Sequence, residues 1–341
     1  MKNRWVYGAD YNETHSPVGS YVMLRIFRGV TSWVLVYVDD LLAASSSTAM
    51  LKEVLEAAFE LRESSSVDEY LGLEIMRDRL VRNLWLHQQN YADKLRRCLI
   101  DEEQGPQVPK TPVSVDAYAE LTLDKEEAQE REEEEYWQKV GSLHFAALTT
   151  RPEIAFTCSK LGSGLTVRSD LHWREADRSL AYLADTRDTA QEFGGGSESL
   201  ELIGYVDADA HATSRTGRAR SEYVVATNAG KEGRRLCFLL AKFQQLDAGK
   251  PTVLRVDNKL AIMVAGGLGL MGNVTHMEQC YAWLQDMVRR GKFVLKYIPT
   301  TEQLADFLPK ALHFPTFNWC SLAISQVRLS DVGDGNNDMQ Q

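Results

Sequence analysis

The stretch from Trp33 to Leu42 reads W-V-L-V-Y-V-D-D-L-L. Apolar and β-preferring residues run into two adjacent carboxylates, Asp39 and Asp40, and apolar residues resume at once. This pattern predicts a buried strand, a tight turn bearing both aspartates, and a returning strand through Leu42. Adjacent carboxylates in apolar flanks are costly unless a positive charge sits beside them. A divalent cation or a basic partner would supply that charge, and two aspartates in an ordinary turn is the plainer alternative.

Around this hairpin the chain changes character several times. Residues 1–20 show no period and are read as an irregular start. Tyr21–Phe27 alternates loosely as a strand, and Leu51, Val54, Leu55, Ala58 and Phe59 follow at helical spacing. Leu71–Met76 and Leu84–His87 read as strands and Tyr91–Leu99 as a helix. Pro106, Pro109 and Pro112 then break regular structure and mark a boundary. Beyond an acidic run, Tyr136, Val140, Leu143 and Ala147 share a helical face, with further helices over Ile154–Leu161 and His172–Leu183. Gly194 to Ser197 forms a joint. The last part alternates: strand Leu202–Val206, helix Glu222–Phe243, strand Val253–Val256, helix His276–Arg290, strand Phe293–Ile298, helix Glu302–Lys310. His144 and His172 have no partner at ligand spacing and are read as structural.

Composition narrows the function classes. The chain has 341 residues, enough for two or three domains, with 44% hydrophobic and 25% charged residues. No apolar run approaches the ~20 residues of a membrane span, and Met1 to Trp5 lacks an apolar signal core, so an intracellular protein without membrane contact is expected. Five scattered cysteines (Cys98, Cys158, Cys237, Cys280, Cys320) read as structural thiols. The formal net charge is −10, and seven glutamates crowd between Asp124 and Glu135. Such a run marks a solvated face or linker, and the overall balance argues against a strong long-range binder of nucleic acid.

The motifs together carry a resemblance. VLVYVDDLLAAS, then YLGLEIMRD, LWLHQQNYADKL and KTPV, resemble the palm of copia-type LTR retrotransposon Pol proteins, with Tyr37 to Asp40 matching the metal-binding turn of reverse transcriptases. VGSLHFAALTTRPEIAFTCSKL and HWREADRSLAYLADTRD resemble the connecting segment of those polyproteins. LIGYVDADA, SEYVVATNAGKE, LRVDNKLAI and YIPTTEQLADFLPKAL resemble their RNase H domain. The likeness covers roughly residues 20–317 in family order. It implies an α+β and α/β chain: a reverse transcriptase palm remnant over 1–112, a connection over 113–196, an RNase H-like domain over 197–317, and a disordered tail over 318–341.

The resemblance also implies chemistry. Two-metal phosphodiester cleavage needs carboxylates converging on divalent ions about 3.5–4 Å apart, and Mg²⁺ (or Mn²⁺) takes carboxylate oxygens. The four carboxylates implied are Asp207 on the first strand, Glu222 at a helix start, Asp257 at a strand end and Asp306 in the last helix, with Asp209 as the fallback if the register shifts. Each has a plainer reading: Asp257 as a helix cap, Glu222 as a surface glutamate, Asp306 as an exposed acid. His276 would cap a helix or contact substrate. Asp39 and Asp40 would be the metal ligands of the polymerase remnant, and an RNA–DNA hybrid the partner.

The sequence departs from the family in three places. Only 38 residues precede Asp39, and none resembles the earlier palm strand that carries a third aspartate, so the polymerase is expected to be inactive. Only 14 residues separate Asp207 from Glu222, where two strands of roughly 5–6 residues plus turns are expected. That gap implies a deletion and an exposed strand edge, and it leaves open an alignment in which residues 220–230 form a strand and the catalytic glutamate is lost. Gly230 and Gly233 in the helix suggest relaxed constraint, and Pro309 interrupts the last helix. The expectation is a truncated Pol fragment with residual Mg²⁺-dependent ribonuclease H activity, or alternatively a non-catalytic remnant or domesticated scaffold.

Overall fold

The computed structural model describes residues 6–7, 20–27, 30–38, 40–56, 67–100, 108–121, 133–165, 169–194, 201–208, 215–242, 249–268 and 278–332. Among these residues the architecture is mixed α and β, with three sheets.

The hairpin forms as its apolar flanks predict. Strands β1 (Val6–Tyr7), β2 (Ser20–Phe27), β3 (Val30–Tyr37) and β4 (Asp40–Ser45) make an antiparallel sheet in that order. The start read as irregular therefore contributes a short strand, with Val6 opposite Leu24. Tyr37 pairs with Asp40 across the turn, and Val38 takes a positive φ of 52°. Helix α1 (Thr48–Glu56) packs Leu51 and Leu55 of the apolar period onto Val34, while Ala58 and Phe59 of that period lie outside the described residues.

A second sheet gathers distant parts of the chain. Strands β5 (Glu69–Tyr70), β6 (Leu73–Asp78) and β7 (Asn83–His87) precede helices α2 (Gln89–Leu99), α3 (Val115–Leu121), α4 (Glu133–Thr149), α5 (Ala155–Ser163) and α6 (Asp170–Asp185). Strand β8 (Thr189–Phe193) then pairs antiparallel with β7. This sheet thus takes strands from both sides of residue 112. Helices α2, α4, α5 and α6, with the 3-10 turn Pro152–Ile154, bury Leu95, Tyr136, Leu143, Ile154, Leu161 and Leu180 in one core. His172 is structural, as expected: it is buried, and its ring Nδ1 accepts from the Ser169 N–H in the capping box of α6.

The third sheet carries the last part. Strand β9 (Ile203–Val206), the long helix α7 (Arg215–Lys242), strand β10 (Thr252–Val256), helices α8 (Lys259–Ala265) and α9 (Glu278–Arg289) and strand β11 (Phe293–Tyr297) follow in order. The strands are all parallel, in the order β11-β10-β9, so β9 is an edge among the described residues. Tyr223 and Ala226 of α7 pack with Val206, Leu254, Val256, Leu284 and Phe293.

Four expectations need correction here. The reading of residues 220–230 as a strand fails, because α7 runs unbroken over 215–242. Gly230 is not a mark of relaxed constraint: a Cβ there would meet the Trp283 ring at 3.1 Å, so its absence lets α7 lie close to α9. The helix expected over Glu302–Lys310 is instead two 3-10 turns, Thr300–Glu302 and Leu304–Phe307. Pro309 has no N–H to give the Ala305 carbonyl, which the Leu308 N–H takes at 3.0 Å in a tighter turn. Finally, the tail expected to be disordered from residue 318 is ordered through helix α10 (Phe314–Ala323) and strand β12 (Gln326–Arg328). Phe317 and Cys320 are buried in the helical core, and β12 pairs with β8.

Candidate functional site

The site is built at one end of the third sheet. Asp207 follows directly after β9 and Asp257 directly after β10, and parallel neighbouring strands place these two ends side by side. Glu222 lies seven residues into α7, which begins at Arg215, so it projects from about two turns inside the helix and not from its start. Carboxylate oxygens of Asp207, Glu222 and Asp257 all lie within 4.8 Å of one another.

Each of the three is fixed by its surroundings. Asp257 accepts from the Thr300 hydroxyl at 3.0 Å, while the cap of α8 is Asn258, whose side chain accepts from the N–H groups of Leu260 and Ala261. The helix-capping reading of Asp257 is thereby overturned. Glu222 is buried, not a surface glutamate, and its Oε2 has no hydrogen-bond partner among the described residues. Burial, and then the Asp257 and Asp207 carboxylates, push its pKa up to about 8, against the opposing pull of the Ala208 N–H and Lys310. Burial raises the Asp207 carboxyl too, opposed by Lys310 and reinforced by Asp306.

Asp306 enters from the second 3-10 turn and is buried, so the exposed-acid reading also fails. It lies outside the set of three within 4.8 Å of one another, but its carboxyl meets that of Asp207 side chain to side chain. A residue the sequence reading passed over connects them: the Lys310 ammonium lies 3.1 Å from Asp207 Oδ2 and 2.9 Å from Asp306 Oδ1. Burial works against that charge, and the two carboxylates more than offset it, so the Lys310 pKa is raised. A second residue missed from sequence is Gln303, fully buried, which donates to the Val206 carbonyl at 2.9 Å and accepts from the Ala305 N–H. The four-residue spacing from Asp306 to Lys310 was a readable signal for the first, and nothing local marked the second.

The donor set suits a hard divalent cation. Three carboxylates offering oxygens within one ion's reach match the preference of Mg²⁺ and Mn²⁺ for oxygen. The unpartnered Glu222 Oε2 is a buried acceptor that such an ion would satisfy.

Asp40 stands apart from this group. It is exposed at the start of β4, and its charge helps raise the Tyr70 pKa, second to burial. Asp39, Asp209 and His276 lie outside the described residues.

No family model matches the chain, and no solved structure does. Curated proteins do. A retrovirus-related Pol polyprotein from transposon TNT 1-94 of Nicotiana tabacum is 28% identical over 326 residues, 84% of this chain and 24% of that protein. The corresponding polyprotein from transposon RE2 of Arabidopsis thaliana is 27% identical over 329 residues, 87% of this chain and 22% of its own length. The chain is a relative of copia-type retrotransposon Pol polyproteins. It spans about a quarter of the length of these Pol relatives. A shorter protein, the putative transposon Ty5-1 protein YCL074W of Saccharomyces cerevisiae, is 28% identical over 195 residues, which cover 56% of this chain and 61% of that protein. Among the described residues of this Pol relative, no helix is long and apolar enough to cross a membrane.

Proposed function

We propose that residues 197–317 form an RNase H-like unit that hydrolyses RNA in an RNA–DNA hybrid with Mg²⁺ or Mn²⁺. The observation that carries this reading is the convergence of Asp207, Glu222 and Asp257 within 4.8 Å at the ends of two parallel strands and beside α7. The order of carboxylates along the chain and the kinship with Pol polyproteins support it.

Asp207, Glu222 and Asp257 would hold the ion, which when bound supplies an activated water and stabilises charge on the phosphate oxygens. The residues themselves orient and neutralise. Thr300 fixes the rotamer of Asp257 by its hydrogen bond. Glu222, protonated near neutral pH by its burial, releases its proton when it becomes a ligand. Gln303 ties the 3-10 turn bearing Asp306 to the end of β9. The hairpin bearing Asp40 is read as the polymerase palm remnant, with no DNA synthesis assigned to it.

A second reading is binding without turnover, in a domesticated or decayed protein. The Lys310 ion pair favours it, because an ammonium already sits on two of the four carboxylates, as does the formal net charge of −10. Purified protein incubated with a labelled hybrid and Mg²⁺ separates the two. Cleavage that disappears in Asp257→Asn supports hydrolysis; no cleavage, or cleavage unchanged by that substitution, leaves only binding.

A further inference from the structure

The Lys310 ammonium bridges two carboxylates of the site, with Nζ 3.1 Å from Asp207 Oδ2 and 2.9 Å from Asp306 Oδ1. The remaining cluster contains Asp207, Glu222 and Asp257 but not Asp306. Glu222 Oε2, in a residue only 6% exposed, has no hydrogen-bond partner among the described residues, and Asp207 Oδ2 and Asp306 Oδ1 have the Lys310 ion pair alone.

We propose that Lys310 is a positioning residue that acts as a built-in cation, so that the site takes one divalent ion on Asp207, Glu222 and Asp257 and excludes a second from the Asp207–Asp306 side. Charge balance points the same way. Four ionised carboxylates against one divalent ion and one ammonium leave a single negative charge, whereas a second ion would make the site net positive before any substrate arrives. An ammonium and a divalent ion competing for the same oxygens also repel at short range. Asp207 is the shared residue: one oxygen can serve the ion while the other stays with Lys310. The backbone supports the arrangement, since the 3-10 turn and Pro309 place Asp306 and Lys310 together without a continuous helix.

This inference rests on the three carboxylates being an ion site, and its test separates the two. The probe is Mn²⁺ alone, added to the full chain, with ion count from titration calorimetry and coupling between ions from electron paramagnetic resonance. Wild type and Lys310→Arg should bind one ion with an uncoupled six-line signal. Lys310→Met should bind two ions and show spin–spin coupling. Two ions in wild type, or one ion in all three proteins, overturns the role of Lys310 while leaving the ion site intact. No binding in wild type overturns the ion site and this inference with it. Should Lys310→Met fail to fold, the wild-type count still decides, because a count of two is incompatible with the proposal.

Discussion

The side-chain amide of Gln303 donates to the main-chain carbonyl of Val206 across 2.9 Å of fully buried space. Val206 is the last residue of β9 and immediately precedes Asp207, so this bond joins the strand that bears one carboxylate to the turn that bears another. Gln303→Ala leaves a buried carbonyl unpaired and is expected to cost about 1–3 kcal/mol. Urea denaturation measures the loss. Because the bond also sets the position of Asp306, the Lys310 ion pair should loosen with it. A loss of unfolding free energy under ~0.5 kcal/mol would show that the turn is held by other contacts.

Glu222 predicts a pH dependence. Its folded pKa, about 8, lies above the ordinary glutamate value. The group therefore contributes stability that is fully present below the unfolded pKa and is lost as pH rises through about 8. In metal-free buffer the denaturation midpoint should fall between pH 5 and pH 9, and fall less in Glu222→Gln. Asp207, also raised, keeps some of the slope in that variant. Equal slopes in the two proteins would remove Glu222 from the account.

The helical core contains a buried ion pair whose loss should be severe. Arg151 and Glu153 are both buried and bonded to each other, and Arg151 Nη1 donates to the Thr186 carbonyl at 3.0 Å at the end of α6. Arg151→Met strands the Glu153 carboxylate and is expected to cost about 3–5 kcal/mol. The double variant Arg151→Met with Glu153→Leu should recover much of that. Equal stability of the single and double variants would contradict the pairing.

At the double-Asp turn, Val38 holds φ at 52°, a region unfavourable for a β-branched residue, and its side chain is 68% exposed. Val38→Gly relieves that strain without removing buried surface. The gain, offset in part by glycine's larger unfolded-state entropy, is expected to be about 0.5–1 kcal/mol. Chemical denaturation checks the sign, and a loss of stability would mean that the Val38 side chain makes contacts of value at the turn.

Much of this chain could be read from residue order because the decisive signals are local. The apolar run of β3, the helical period of Leu51 and Leu55, and the strand ends at Asp207 and Asp257 each depend on a few neighbours. The parts that escaped depend on distance along the chain. Strand β12 pairs with β8 across more than a hundred residues, with the Gln326 amide donating to the Gln191 side chain at 2.9 Å, and no short motif announces such a partner. Gly230 looks like a defect until Trp283 is placed against it. Lys310 and Gln303 acquire meaning only once a 3-10 turn replaces the helix expected over Glu302–Lys310. Four carboxylates in order could be named from sequence, but not that an ammonium sits on two of them, Asp207 and Asp306.

The central claim is that Asp207, Glu222 and Asp257 form one divalent-ion site, and a Mg²⁺ titration of thermal stability tests it most directly. An ion that binds only the folded chain stabilises it in proportion to RT ln(1 + [L]/Kd), about 2.7 kcal/mol at a concentration one hundred times Kd. The wild-type melting temperature should rise steadily through millimolar Mg²⁺, while Asp257→Asn stays nearly flat. A wild-type melting temperature that does not move, or an equal rise in both proteins, would contradict the site.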